Sequence, residues 1–132
     1  MGIGNVLKND DGVGVYISQR IMERTHIAAL TVEVSIENYI GKINNLHPDQ
    51  LVLIDCMDFK QPPGSFHIID IDKISDLTFN THNISLNRLG EFFHMPVKVL
   101  GIQPLKIDFG EALSPPVRES ANKIIDLINK EL

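Results

Sequence analysis

The chain has 132 residues, of which 43% are hydrophobic and 22% are charged, and it carries a net charge of −5. This length predicts one domain over residues 1–132 with a substantial core. Twelve basic residues against seventeen acidic ones argue against nucleic acid or an anionic membrane as the main partner. The single cysteine, Cys56, excludes an internal disulfide framework and four-cysteine metal sites. Because no signal peptide, long apolar run or lipidation motif is present, we expect a cytoplasmic protein.

The first fourteen residues, MGIGNVLKNDDGVG, are predicted to form a polar loop that leads into a helix. The residues that punctuate the loop or can bind a ligand are Gly2, Gly4, Gly14, Asn5, Asp10 and Asp11. A dinucleotide-binding turn is disfavoured because Leu7 stands where that fingerprint needs its third glycine, and no Gly-Lys-Ser/Thr follows to make a P-loop. We interpret Asp10 as a cap or first-turn charge of the first helix, which we end near Arg24.

The rest of the chain alternates strand and helix patterns. Strands are predicted at 27–35, 51–55, 65–72 and 97–104, and helices at 35–47, 85–94 and from 115 onwards, with an irregular connection over 72–83. Because only residues 56–64 separate the second of these strands from the third, the third should run antiparallel near an edge of the sheet. The alternation predicts a three-layer α/β domain.

Two polar residues stand out beyond the first loop. Asp55 ends a continuous apolar strand, and open α/β sheets bind ligands at the carboxyl ends of their strands. A turn-forming aspartate is the structural alternative, and we assign Asp58, further into the turn, to loop chemistry. Of five histidines, His82 is the first candidate because it lies in a polar loop just ahead of a helix start, whereas most histidines are simply surface residues. Cys56 is interpreted as a buried small hydrophobe.

Four segments, GIGNVLKNDDGVG, LVLIDCMDFKQPPG, NTHNISLNRL and VLGIQP, follow one another along nearly the whole chain. In this order they resemble the signature segments of the hydrogenase maturation endopeptidases, and most closely the branch that processes formate-hydrogenlyase-type nickel–iron hydrogenases. The resemblance implies an α/β/α fold with a mostly parallel five-stranded sheet. It also implies a cytoplasmic endopeptidase that removes a short C-terminal extension from the hydrogenase large-subunit precursor after nickel has been inserted.

The resemblance further implies that the substrate's nickel is detected by two acidic residues and a histidine. These would be Asp11, which precedes a glycine in the first segment, Asp55 at the strand end, and His82 in the Thr-His-Asn segment. Carboxylate oxygens and an imidazole nitrogen are acceptable ligands for a divalent transition ion, and three ligands leave positions open for the substrate's own. The same set can hold zinc, manganese or another divalent ion, so nickel follows from the resemblance alone.

The sequence departs from the family pattern at two points. Met1 stands where a first strand should end, so we expect that strand to be missing before Gly2, through a misplaced start codon or an N-terminal deletion, unless another segment fills the gap. Cys56 replaces the small residue, commonly alanine, that follows the strand aspartate.

Two alternative functions stay open at this point. One is a non-catalytic α/β module that binds a metal or a small anion, and the other is a conventional metallohydrolase with its own bound metal. No HExxH helix, GxSxG elbow or recognisable nucleophile–base spacing occurs in the sequence. A peptidase without such apparatus fits activation by a metal that the substrate brings.

Overall fold

The computed structural model describes residues 1–33, 35–74 and 86–131. Its strands are β1 (Gly2–Ile3), β2 (Thr31–Glu33), β3 (Leu51–Cys56), β4 (Phe66–Asp70) and β5 (Val97–Ile102). Its α-helices are α1 (Val13–Ser18), α2 (Ile40–Leu46), α3 (Leu86–Leu89) and α4 (Pro115–Glu131). Short 3-10 helices precede α1 (Asn9–Gly12) and α2 (Ile36–Tyr39), and others follow β4 (Ile71–Lys73) and α3 (Gly90–Phe92).

The five strands form one sheet in the order β2-β1-β3-β5-β4. All pairs are parallel except β4 with β5, so the predicted antiparallel edge strand is confirmed. Parallel strands end at the same edge of a sheet, and β1 and β5 are the two neighbours of β3. The loops that follow β1 and β5, residues 4–12 and 103–114, therefore flank the carboxyl end of β3.

Helices cover both faces of the sheet, which confirms the predicted three-layer α/β/α arrangement. On one face, Leu51 and Leu53 of β3 pack in a core with Ile36 and Ile43 from the α2 region. On the other face, the intervening β3 residues pack with α1 and α4 in a second core. This alternation follows from the two-residue period of a strand buried on both faces. No helix in the described ranges is long and apolar enough to cross a membrane.

The position of the first strand is occupied by a segment of only two residues, so the gap that we expected before Gly2 is filled in part. The two residues Gly2–Ile3 pair in parallel with β2 on one side and β3 on the other. Gly2 N–H donates to the Leu30 carbonyl at 2.8 Å, and Ile54 N–H donates to the Met1 carbonyl at 2.8 Å. A strand of two residues is too short to display alternation, and the turn into the loop begins only at Gly4, with φ +145°.

Two predicted helices are shorter than the sequence pattern suggested. Helix α1 ends at Ser18 rather than near Arg24, and only Leu86–Leu89 of the predicted helix over 85–94 is α-helical. The segment that follows α1 is not helical there and contacts α4 through Arg24. The Arg24 guanidinium donates to the Ile128 and Asn129 carbonyls near the end of that helix, where a positive charge is favourable.

Backbone-to-backbone packing sets the position of α1. A Cβ atom on Gly14 would overlap the carbonyl oxygens of Ile54 in β3 and Ile3 in β1. The first turn of α1 therefore lies directly against the two strands at their carboxyl ends. The 3-10 helix Asn9–Gly12, one turn earlier, is carried to the same edge.

A hydrogen-bonded clamp fastens the loop after β1 to the loop after β5. Asp10, which is fully buried, accepts hydrogen bonds from the Leu105 and Lys106 backbone N–H groups, each at 2.9 Å. It also accepts from Ser114, at 2.7 Å from the backbone N–H and 2.8 Å from the hydroxyl. Asp10 does lie in the first turn of the 3-10 helix, as predicted, but it is not a cap, because its carboxylate binds a loop far along the chain.

Asn9 extends the clamp on the same side. Its side-chain amide donates to the backbone and side-chain oxygens of Asp108 at 3.0 and 2.9 Å, and its oxygen accepts from Ala112 N–H at 3.2 Å. Asn9 N–H also donates to the Gly110 carbonyl at 2.7 Å. The two loops that flank the end of β3 thus form one connected unit.

The substitution Gly14→Ala should destabilise the protein by about 3 kcal/mol or more, because the new methyl meets backbone atoms that cannot move aside. Urea unfolding followed by circular dichroism measures the effect. Gly41→Ala is the matched control, since nothing lies within 4 Å of its Cβ position in α2 and alanine should raise stability by about 0.5–1 kcal/mol. Equal effects at the two glycines would contradict the packing argument.

The substitution Asp10→Asn should lower the free energy of unfolding by about 2–3 kcal/mol, because an amide nitrogen would face buried N–H groups that now have an acceptor. Thermal and urea unfolding report the loss. Asp126→Asn, on the exposed side of α4, should change stability by no more than about 0.5 kcal/mol. A loss at Asp126 as large as that at Asp10 would count against the clamp.

Candidate active site

Asp11 lies in the 3-10 helix that precedes α1 and is 1% exposed. Its Oδ2 accepts a hydrogen bond from Asn5 N–H at 3.0 Å, and its own N–H donates to the Lys8 carbonyl at 3.0 Å. Its carbonyl lies where a Cβ atom on Gly4 would stand, and Gly4 also has a φ that L side chains rarely adopt. The first loop therefore closes on Asp11, and Gly4 makes the close approach possible.

Asp55 is the next-to-last residue of β3 and is fully buried. Its Oδ1 accepts from the N–H of Cys56 at 2.7 Å, which fixes the orientation of the carboxylate at the strand end. The residue opposite in β5 is Gly101. The prediction that Asp55 stands at the carboxyl end of a buried strand is confirmed.

The fold brings Asp11 and Asp55 to the same edge of the sheet. The α1 start packs on Ile54, the residue before Asp55, and Asp11 lies three residues before Gly14. Burial raises the pKa of the Cys56 thiol far above its usual value, and the negative charges of nearby aspartates, Asp55 first among them, raise it further.

The same surroundings determine what Cys56 can do. Its side chain is fully buried, and its pKa is shifted in the direction that keeps the thiol protonated. Since the thiolate is the nucleophilic form, Cys56 is unsuited to serve as the nucleophile of a cysteine peptidase. The interpretation of Cys56 as a buried small hydrophobe is confirmed.

His82, the third predicted ligand, lies outside the described residues, and its role stays a prediction. Among the described residues, no three His, Cys, Asp or Glu side chains stand together in a way that could hold a metal ion. A three-ligand site on Asp11 and Asp55 therefore needs a side chain from outside those residues or from another molecule.

Sequence reasoning missed Gln103, which holds the turn that follows β3. Gln103 is 7% exposed, and its side-chain oxygen accepts from Phe59 N–H while its amide donates to Asp58 Oδ1 at 3.2 Å. Asp58 Oδ1 also accepts from Lys60 N–H at 2.9 Å, and these two contacts lower the pKa of Asp58. The assignment of Asp58 to loop chemistry is confirmed. The sequence feature that could have indicated this role is a polar glutamine placed between an apolar strand and Pro104.

The arrangement offers oxygen ligands and negative charge in a place shielded from water. Two buried carboxylates favour the binding of a divalent cation, because they are negatively charged and because their oxygen atoms are suitable ligands. Carboxylates in such a position can also accept or hold a proton during hydrolysis. Both uses require the carboxylates to be oriented, and a backbone N–H orients each of them.

Known proteins resemble this chain over nearly its whole length. A putative hydrogenase maturation protease of Methanocaldococcus jannaschii is 29% identical, and the match covers 97% of this chain and 83% of the relative. The hydrogenase 3 maturation protease of Escherichia coli K12 is 27% identical over 92% of this chain and 82% of its own. Relatives in bacteria and archaea thus match nearly the whole chain.

Solved structures of hydrogenase maturation proteases have the same fold as this chain. The nickel–iron hydrogenase maturation protease HycI from Thermococcus kodakarensis superposes with a TM-score of 0.85 at 28% identity, covering 98% of this chain and 87% of that one. The HybD endopeptidase of E. coli, at 22% identity and a TM-score of 0.71, shares the fold. The family model described as HycI, hydrogenase maturation protease, matches residues 16–131. The chain therefore belongs to the hydrogenase maturation protease family and is an endopeptidase.

Proposed function

We propose that this endopeptidase removes the C-terminal extension of a hydrogenase large-subunit precursor after nickel has been inserted, and that it does so in the cytoplasm. The observation that carries the proposal is the pair of buried carboxylates, Asp11 and Asp55, at the carboxyl edge of β1 and β3. Family membership supplies the class of reaction. The carboxylate pair supplies a reason for the metal dependence.

In this proposal, nickel belongs to the substrate, and Asp11, Asp55 and His82 are the residues that contact it. The donor types of this trio fit a divalent transition ion. Two ionised carboxylates buried at one edge of the sheet are electrostatically unfavourable, and a cation that arrives with the correct substrate offsets this cost. Precursor that lacks its metal would not provide this gain, so the enzyme would distinguish the two forms.

The role of the surrounding protein is to hold the carboxylates in place before the substrate arrives. One oxygen of each is fixed by a backbone N–H, from Asn5 for Asp11 and from Cys56 for Asp55. Such contacts orient a ligand and limit the reorganisation that binding requires. The clamp through Asn9 and Asp10 keeps the loop that carries Asp11 attached to the loop after β5.

The two alternatives from the sequence make different demands. A conventional metallohydrolase needs a metal ion that its own residues hold tightly, together with a bound water. A non-catalytic module needs the crevice but no cleavage. The family favours neither of them, and measurements of metal retention and of precursor mass separate all three.

Single replacement of Asp11 or Asp55 with Asn, or of His82 with Ala, should lower processing of nickel-loaded precursor by about a hundredfold or more. Mass spectrometry of the precursor before and after incubation reports loss of the C-terminal peptide. Stability should be unchanged or modestly raised, because Asn keeps one oxygen as acceptor and relieves the repulsion between carboxylates.

Asp126→Asn and His94→Ala are the controls for this series, since both residues are exposed outside the candidate site and should keep full processing. If instead the aspartates are only capping and turn residues, their replacement costs about 1 kcal/mol of stability and leaves cleavage intact. That pattern would exclude the proposed role.

The isolated protein should bind divalent ions weakly, because three protein ligands leave coordination incomplete until the substrate adds its own. After dialysis against a chelator, elemental analysis should find far less than one metal ion per chain. Nickel titration by calorimetry should give weaker binding still for Asp55→Asn and unchanged binding for Asp126→Asn. Stoichiometric zinc that survives the chelator would favour the conventional metallohydrolase.

A further inference from the structure

Four apolar side chains are exposed on the two clamped loops. Their exposed fractions are 39% for Val6, 44% for Leu7, 60% for Leu105 and 85% for Phe109. We call these four residues the apolar rim. Single exposed apolar residues are common and need no explanation, but a group of them on one surface marks a contact site for another molecule.

The backbone beneath the rim is held by hydrogen bonds. Leu7 N–H donates to Asn5 Oδ1 at 2.9 Å, and the Leu7 carbonyl accepts from Gly110 N–H at 2.8 Å. Lys8 and Gly110 form a parallel bridge, so Leu7 and Phe109, which precede them, stand opposite each other. Leu105 is fixed by its bond to Asp10. An ordered apolar surface loses little conformational entropy when a partner binds.

The rim is continuous with the candidate active site. Val6 and Leu7 lie in the loop that closes on Asp11 at both ends, through Asn5 N–H to Asp11 Oδ2 and Asp11 N–H to the Lys8 carbonyl. Leu105 bonds to the residue that precedes Asp11. The loops that carry the rim are therefore bonded to Asp10 and Asp11 themselves.

We propose that the apolar rim binds an apolar segment of the precursor polypeptide next to the scissile bond, an inference that rests on the proposed function. An endopeptidase must hold its substrate chain on at least one side of the bond that it cuts. The rim is apolar, its backbone is held by hydrogen bonds, and its loops are bonded to Asp10 and Asp11. Burial of these side chains against the substrate supplies affinity that the metal contact alone does not.

A second copy of this chain is the competing occupant. Each partner of a stable protein–protein interface buries about 800 Å². An aromatic side chain buries about 150–250 Å², so four partly exposed side chains, of which only Phe109 is aromatic, fall short of that area. The size of the rim suits a short peptide segment better than a dimer.

The test combines Leu105→Ser with Phe109→Ser in the full chain and follows cleavage of nickel-loaded precursor. The double variant should raise KM by about tenfold or more and leave kcat nearly unchanged, because binding in the ground and transition states is lost alike. Leu127→Ser, at a residue 52% exposed on α4, is the matched control and should leave KM unchanged. Phe109→Leu, which keeps an apolar side chain, should retain most of the affinity.

The outcomes separate the two proposals. An unchanged KM for the double variant, with wild-type cleavage intact, overturns the role of the rim and leaves the proposed function standing. If wild-type protein leaves the precursor uncut, the proposed function fails and the inference fails with it. A photo-crosslinking amino acid at position 109 should attach to precursor residues near the cleavage point. Attachment to a second copy of this chain would identify the rim as a self-association surface instead.

Discussion

The approach of α1 to the sheet at Gly14 is the constraint on which the candidate site depends. No side chain fits between this residue and the carbonyl oxygens of Ile3 and Ile54, so helix and strands meet backbone to backbone. The 3-10 turn before the helix is therefore carried over the ends of β1 and β3, and Asp11 with it. Residues far apart in sequence become neighbours because one position lacks a Cβ atom.

The two consecutive aspartates, Asp10 and Asp11, have different surroundings. Both are buried, and burying a carboxylate is costly unless hydrogen bonds compensate. Asp10 accepts from three backbone N–H groups and one hydroxyl, which is the environment of a structural carboxylate. Asp11 faces the loop that leads from β1 and is accompanied by Asp55 at the end of β3. Asp10 is thus held by its hydrogen bonds to a distant loop, whereas its neighbour Asp11 is the residue that we propose for contact with the metal of the substrate.

The sequence predicted those features that depend on residues close together in the chain. The apolar run of β3 placed Asp55 at a strand end, and the short connection after it predicted an antiparallel edge strand, both as observed. The two-residue β1 was missed, because alternation needs more residues to appear. The roles of Asp10 and Gln103 were missed for another reason: Asp10 binds residues 95 to 104 positions away, and Gln103 binds a turn more than forty positions earlier. From the sequence alone, such side chains cannot be distinguished from helix caps and turn residues, because their hydrogen-bond partners are known only from the fold.

The two contact sites that we propose, the rim and the carboxylates, together account for a selective protease whose metal contact is weak. Oxygen ligands bind many divalent ions, so carboxylates alone cannot distinguish nickel in a hydrogenase precursor from a free cation. A free cation, however, makes no contact with an apolar surface such as Phe109. When metal and apolar segment belong to one polypeptide, binding at one site raises the effective concentration at the other, and joint affinity can exceed either alone by roughly 10²–10⁴. Two proposed weak sites that bind one polypeptide together thus favour the loaded precursor over both free metal and metal-free precursor.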